Sequence, residues 1–317
     1  MTRFFSIVTF AVTFVLLLGG CGKDNVPSKD EIEVKTVSFS ISNFDVIEDS
    51  EMETTRTSFT ENNGGITYYW SSRDTVGIYP TSGSQVFFAI EGVGGESKAD
   101  FDGGGWAFKS ASKYYSYYPF IGNIYLDRHK IPVSYEGQKQ IGLSSKDHVG
   151  AYDFMYTPAC SSDGGKLNFK YEHLGCIIQC RLILDAGNYT KLAITAPTEA
   201  FVKSGYFDLQ SDSPSVIGKT YTNQLLVDLE NISIAESSTQ VDVYLMSAPV
   251  NLKDTEITVS VLNDKRQELQ CKKTPSKNYA PQTLYGLRCS SWTEVPQSMG
   301  MIIEDWDDAG NIGGDAE

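Results

Sequence analysis

Histidine is scarce in this sequence: His129, His148 and His173 are the only three in a chain of 317 residues. Their spacing fits no zinc site, and neither HExxH nor CxxC occurs. Metal-dependent chemistry and His-based acid/base chemistry are restricted from the outset. There is no cluster of Lys or Arg, and the formal net charge is −14. Nothing is present to neutralise a phosphate backbone, so nucleic acid is excluded as a partner. The GxSxG elbow of the α/β-hydrolases is missing. Gly218-Lys219-Thr220 looks like the end of a phosphate loop, but Ser213 stands where the first Gly of that motif belongs. Asp305-Trp306-Asp307-Asp308 starts like a calcium loop, yet Ala309 and Ala316 fall at the fifth and twelfth positions, where ligands are needed. The 40 acidic residues make carboxylate pairs abundant without giving any of them a glycosidase spacing. No catalytic residue, metal site or cofactor is therefore assigned.

A helical period is also lacking, since no stretch after the leader sustains one over 12 residues. The chain instead holds many short runs rich in Val, Ile, Thr, Tyr and Phe, with 18 Tyr, 28 Gly and 12% aromatics. An apolar content of 41% is enough to bury a core. Strand-sized pieces punctuated every 8–12 residues by turn residues read as an all-β sandwich or barrel, and the length suits two domains.

Residues 1–20 read as a signal peptide. Arg3 supplies the positive start, residues 4–18 an apolar run too short for a comfortable membrane span, and Leu18-Gly19-Gly20-Cys21 resembles a bacterial lipobox. The expected product is a lipoprotein of 297 residues (317 − 20), lipidated at Cys21. Its charge would be about −15, because Arg3 is lost with the leader. Two or three acyl chains would anchor it stably. Residues 21–33 are a polar tether.

Residues 34–41 alternate: Val37, Phe39 and Ile41 share one face, and Thr36, Ser38 and Ser40 the other. An acidic loop is expected at 48–53, then further strands. They include 75–79, 85–90, the Tyr-rich 113–118, 166–171, 173–183, 241–246 and 256–262. The irregular stretch 158–165 is the expected boundary between an N-terminal domain, 34–163, and a C-terminal domain, 164–317. His173 reads as a packed structural residue and the tyrosines of 114–118 as core. Beyond Cys21 there are five cysteines, Cys160, Cys176, Cys180, Cys271 and Cys289. Cys176 and Cys180 sit four apart on one apparent strand, ~13 Å between Cα atoms, too far to join. The five read as small buried hydrophobes with no pairing assigned.

Several of these pieces occur together in one family. Thr55-Arg56-Thr57-Ser58-Phe59 followed by Tyr69-Trp70-Ser71-Ser72-Arg73-Asp74-Thr75-Val76-Gly77-Ile78-Tyr79 resembles the fimbrillin signature. Ala99-Asp100-Phe101 with Trp106, then Tyr114-Tyr115-Ser116-Tyr117-Tyr118-Pro119, is similar to its next stretch. Gln138-Lys139-Gln140, Asp153-Phe154-Met155 and Phe169-Lys170-Tyr171-Glu172-His173-Leu174 resemble its later landmarks. The resemblance spans about residues 54–185 well and the C-terminal half weakly. It implies a type V pilin subunit of Gram-negative outer membranes, with two transthyretin-like β-sandwich domains in tandem. It also implies export as a lipoprotein, a protease cut after an Arg that removes the first strand, and filling of the groove by a strand from the next subunit. Carried onto this chain, the cut falls between Arg56 and Thr57 and the removable strand is 34–41.

The expected donor strand is 298–306, with Met299, Met301 and Ile303 on one face and Ile302 and Trp306 on the other. Expected partners are other fimbrillin subunits in a head-to-tail polymer, the maturation protease, and the outer membrane through the lipid. A surface glycan-binding lipoprotein, using exposed aromatics such as Trp106, Trp292 or Trp306, is the competing reading.

Overall fold

The computed structural model of the chain describes residues 31–33, 36–48, 61–62, 65–66, 69–70, 74–89, 98–102, 107–109, 111–122, 125–163 and 165–296. Among them there is no α-helix. In the first part of the chain the strands are β1 (Glu31–Glu33), β2 (Thr36–Ile41), β3 (Phe44–Glu48), β4 (Glu61–Asn62), β5 (Gly65–Ile66), β6 (Thr75–Pro80), β7 (Val86–Ala89), β8 (Lys98–Asp102), β9 (Ala107–Lys109) and β10 (Tyr114–Tyr118). Next come β11 (Ile131–Ser134), β12 (Gln138–Ile141), a 3-10 turn at Val149–Tyr152, β13 (Met155–Tyr156), β14 (Lys166–His173) and β15 (Cys176–Leu184). The last are β16 (Gly187–Thr195), β17 (Phe201–Phe207), β18 (Ile217–Thr222), β19 (Gln224–Ile234), β20 (Thr239–Ser247), β21 (Ile257–Asn263), β22 (Glu268–Lys273), β23 (Thr283–Cys289) and β24 (Thr293–Val295). The fold is all-β and of sandwich type, as the strand spacing implies.

One sheet has the order β7-β6-β10-β13-β14-β2-β8. Two six-stranded sheets, β12-β19-β16-β21-β22-β24 and β20-β15-β23-β3-β5-β4, face each other across the largest core. A three-stranded sheet, β11-β17-β18, and the pair β1-β9 complete the set. Alternation along a strand decides which core each side chain joins. On β15, Cys176, Ile178, Cys180 and Leu182 enter the core between the six-stranded sheets. Ile177 points the other way, into a middle core with Tyr79, Tyr117, Ile131, Val133 and Tyr244. β10 divides likewise: Tyr114 and Tyr118 pack in the core of the first sheet and Tyr117 in the middle core. The expected core role of these tyrosines holds.

The boundary expected at 163/164 does not separate the sheets. β14 lies beyond it yet belongs to the first sheet, whereas β11 and β12 lie before it and pair with β17 and β19. The physical reason is the continuity of β14 and β15, which form one extended path that changes sheet at Leu174-Gly175. Gly175 has no room for a side chain there: a Cβ would lie 2.9 Å from the Ser247 carbonyl oxygen and 3.3 Å from the Tyr135 hydroxyl.

Sequence reading places no strand at β12, and its residues explain why. Gln138 and Gln140 face inward, fully buried, while Ile141 is exposed. The inverted pattern serves β20, the edge strand of its sheet. Gln138 Nε2 donates to the Met246 carbonyl (2.8 Å) and its Oε1 accepts from Met246 N (2.7 Å). Gln140 does the same for the Asp242 carbonyl (2.9 Å) and Tyr244 N (3.0 Å). His148 Nε2 reaches the Tyr244 carbonyl at 2.9 Å, and Asp242 N donates to Ser144 Oγ at 3.1 Å. Side-chain amides thus stand in for a neighbouring strand and close an edge that would otherwise invite pairing. Gln140→Leu would leave two buried backbone groups unpartnered, and at roughly 1–3 kcal/mol each the variant is expected to lose about 2–6 kcal/mol. Urea unfolding measures this, and a loss below about 1 kcal/mol would show that the amide ladder contributes little.

Candidate functional site: the seat of the N-terminal strands

β2 occupies an interior position. It runs parallel to β14, from Thr36 beside Lys166 to Ile41 beside Tyr171, and antiparallel to β8. Its alternation follows the sequence: Val37, Phe39 and Ile41 are buried among Trp70, Val76, Ile78, Tyr118, Leu167 and Phe169. The Phe39 ring stacks on Phe169 (6.0 Å between centroids) and Tyr171 (6.1 Å) and meets Trp70 edge-on at 6.1 Å. Burial pushes the Tyr171 phenol well above its ordinary value, against the lowering effect of its hydrogen bond to Ser116. Burial does the same to Tyr118, and Asp74, which accepts from its hydroxyl at 3.1 Å, adds to the rise. Both phenols stay uncharged through neutral pH, which suits an apolar strand.

The chain then changes sheet at Ser42-Asn43. β3 continues as an interior strand of the second sheet, parallel to β23 with Asp45 beside Thr283, and antiparallel to β5 with Phe44 beside Ile66. Sequence reading misses β3. Its pattern is broken by the acidic residues around it, and its partner β23 lies some 240 residues away (283 − 45 = 238). Residues 36–48 therefore form one path that completes two sheets.

A buried pair pins the crossing. His173 Nδ1 lies 2.8 Å from both carboxylate oxygens of Asp153, and both side chains are sealed from solvent. A carbonyl can only accept, so His173 Nε2 donates to the Ser42 carbonyl at 2.8 Å. The Phe44 ring lies 3.9 Å from the imidazole. Ser42 N donates to the Tyr171 carbonyl (2.9 Å), and Asp45 N to the Gln282 carbonyl (2.8 Å). The His–Asp pair resembles half of a catalytic triad, but its outer nitrogen is occupied by backbone and no substrate reaches it. His173 is structural, as expected. His129, the most exposed of the three histidines, pairs with Asp208 at 2.9 Å.

Cys21, Arg56, Thr57, Met299, Met301, Ile302, Ile303 and Trp306 all lie outside the described residues, as do Trp106 and the leader. Of the residues named for sugar stacking, only Trp292 is described. It packs against the main core and donates its Nε1–H to the Ile183 carbonyl at 2.7 Å, so it offers no free platform. Among the described residues no group of three or more His, Cys, Asp or Glu could hold a metal ion. Gly218-Lys219-Thr220 lies in β18, antiparallel to β17, which is not the strand-to-helix turn a phosphate loop needs.

Fold and seat together define an all-β chain whose N-terminal segment completes two of its sheets. No protein-family model matches it, and no curated protein matches it. Among solved structures it is similar to a candidate cell adhesion protein from Bacteroides ovatus ATCC 8483, at 13% identity over 83% of this chain and 95% of that one, with a TM-score of 0.48. A candidate cell adhesion protein from Bacteroides uniformis ATCC 8492 matches at 14% identity over 71% of this chain and 91% of that one, with a TM-score of 0.45. The tip fimbrial protein Mfa3 from Porphyromonas gingivalis, with C-terminal truncation, matches at 11% identity over 70% and 89% of the two chains, with a TM-score of 0.38.

Proposed function

We propose that this chain is a structural subunit of surface fimbriae, tethered by lipid at Cys21, matured by a cut after Arg56, and assembled by strand exchange to support adhesion. One observation carries the reading. Residues 36–48 fill interior positions in two sheets, and all of them precede Arg56. A single cut at that point frees both strands from the rest of the chain at once. Their departure would uncover unpaired edges on β14, β8, β23 and β5, and would open the aromatic core around Trp70 and Tyr171. A strand from a second copy restores the backbone hydrogen bonds and refills alternate pockets. The contact is head-to-tail and does not close, so it grows a filament.

The cut is tested by N-terminal sequencing of surface-assembled protein, which is expected to start at Thr57. A start at Cys21 in assembled material would rule out cleavage as the step that licenses assembly. Lipidation is tested with labelled palmitate, which should enter the wild type and not Cys21→Ala. Equal labelling of the two would remove the anchor.

A further inference from the structure

We propose that Cys271 and Cys289 are a disulfide-forming pair that staples the two sheets of the C-terminal sandwich together. The inference is independent of the fimbrial reading. Cys271 lies on β22, beside Val259 of β21, in one six-stranded sheet. Cys289 is the last residue of β23, beside Leu182 of β15, in the facing sheet. Both point into the same core. Facing sheets normally stand ~10 Å apart, too far for a bond that needs Cα atoms within ~7 Å. Here the chain itself bridges the two layers beside the pair. Residues 290–292 carry the chain from one sheet to the other, and Thr293 of β24 then pairs with Gln270, next to Cys271. Ser291, within that crossover, hydrogen-bonds Cys271 through its backbone, and the two cysteine side chains hydrogen-bond each other.

The chemistry of the pair is asymmetric. The hydrogen bond from Cys289 and the charge of Lys273 draw the Cys271 thiol down to about 7, whereas its partner is pushed up. Cys271 is thus the attacking thiolate at neutral pH. With glutathione disulfide as oxidant, its sulfur attacks one glutathione sulfur, forming a mixed disulfide and releasing one glutathione thiolate. Cys289 then loses its proton and attacks the Cys271 sulfur, releasing the second. Two protein thiols become one disulfide, and one glutathione disulfide becomes two thiols. Cys180, the nearest third cysteine, lies on β15 and is held protonated by burial. Cys176 is likewise raised, to about 12.

The test uses the full chain, purified reduced and equilibrated in glutathione buffers from fully reducing to fully oxidising. Samples are acid-quenched, alkylated with N-ethylmaleimide and mapped by mass spectrometry without reduction. A cross-linked peptide joining Cys271 to Cys289 is expected, with Cys160, Cys176 and Cys180 alkylated, and oxidation should raise Tm by about 5–10 °C for a loop of this size. Cys180→Ser should still cross-link, and Cys289→Ser should not. Alkylation of both Cys271 and Cys289 at the most oxidising ratio, or a link from either to Cys180, would overturn the proposal. The wild-type map decides the matter even where a variant fails to fold.

Discussion

Deleting residues 298–317 should abolish polymerisation while leaving the monomer folded, exported and close to normal in thermal stability. The last described strand, β24, is already paired to β22, and it ends before residue 298. The C-terminal sandwich thus has a closing strand of its own without the segment 298–306. That segment carries Met299, Met301 and Ile303 at alternate positions, a pattern suited to the pockets that Val37, Phe39 and Ile41 fill in the uncut chain. If 298–306 were an ordinary strand of its own domain, truncation would remove large buried side chains. At about 2–5 kcal/mol each, Tm would then fall by several degrees. Calorimetry and electron microscopy on the same preparation separate the cases. Filaments from the truncated protein would end the donor-strand proposal.

Phe39→Ala is expected to have the largest effect of any single substitution in the seat. The ring is 1% exposed and touches three aromatic neighbours, so its removal should weaken the uncut protein by about 3–5 kcal/mol. Assembled material is expected to behave as the wild type if, as proposed, residue 39 leaves with the fragment cut at Arg56. Urea unfolding of uncut monomer and thermal dissociation of fibres give the two readings. Equal losses in both would show that β2 stays in place after assembly.

β2 is legible in the sequence because its apolar residues alternate and its polar ones face away. The Tyr-rich run of β10 is legible for a related reason, since aromatic residues at successive positions serve two cores. β12 is hidden because Gln138 and Gln140 take the inward positions to satisfy the edge of β20, a demand set by a strand about 100 residues away. β18 is hidden because it is an edge strand with Ile217 and Tyr221 exposed, so no buried face marks it. The domain boundary misleads because turn residues at 158–165 mark a loop, whereas the change of sheet occurs at Leu174-Gly175, a two-residue step between β14 and β15. At the site, Phe39 and its partners are readable from pattern alone. The clamp of His173 and Asp153 on the Ser42 carbonyl is not, since it joins residues far apart in sequence through one backbone oxygen.

Assembly by strand exchange requires that residues 36–48 be a replaceable part of the fold. The most direct measurement is to cut the purified, folded protein after Arg56 with a trypsin-like protease and follow it by size-exclusion light scattering, with mass spectrometry of every peak. The fragment ending at Arg56 is expected to leave as multimers appear, and the multimers to contain only chains beginning at Thr57. A cut protein that stays monomeric with residues 36–48 still bound would contradict strand exchange.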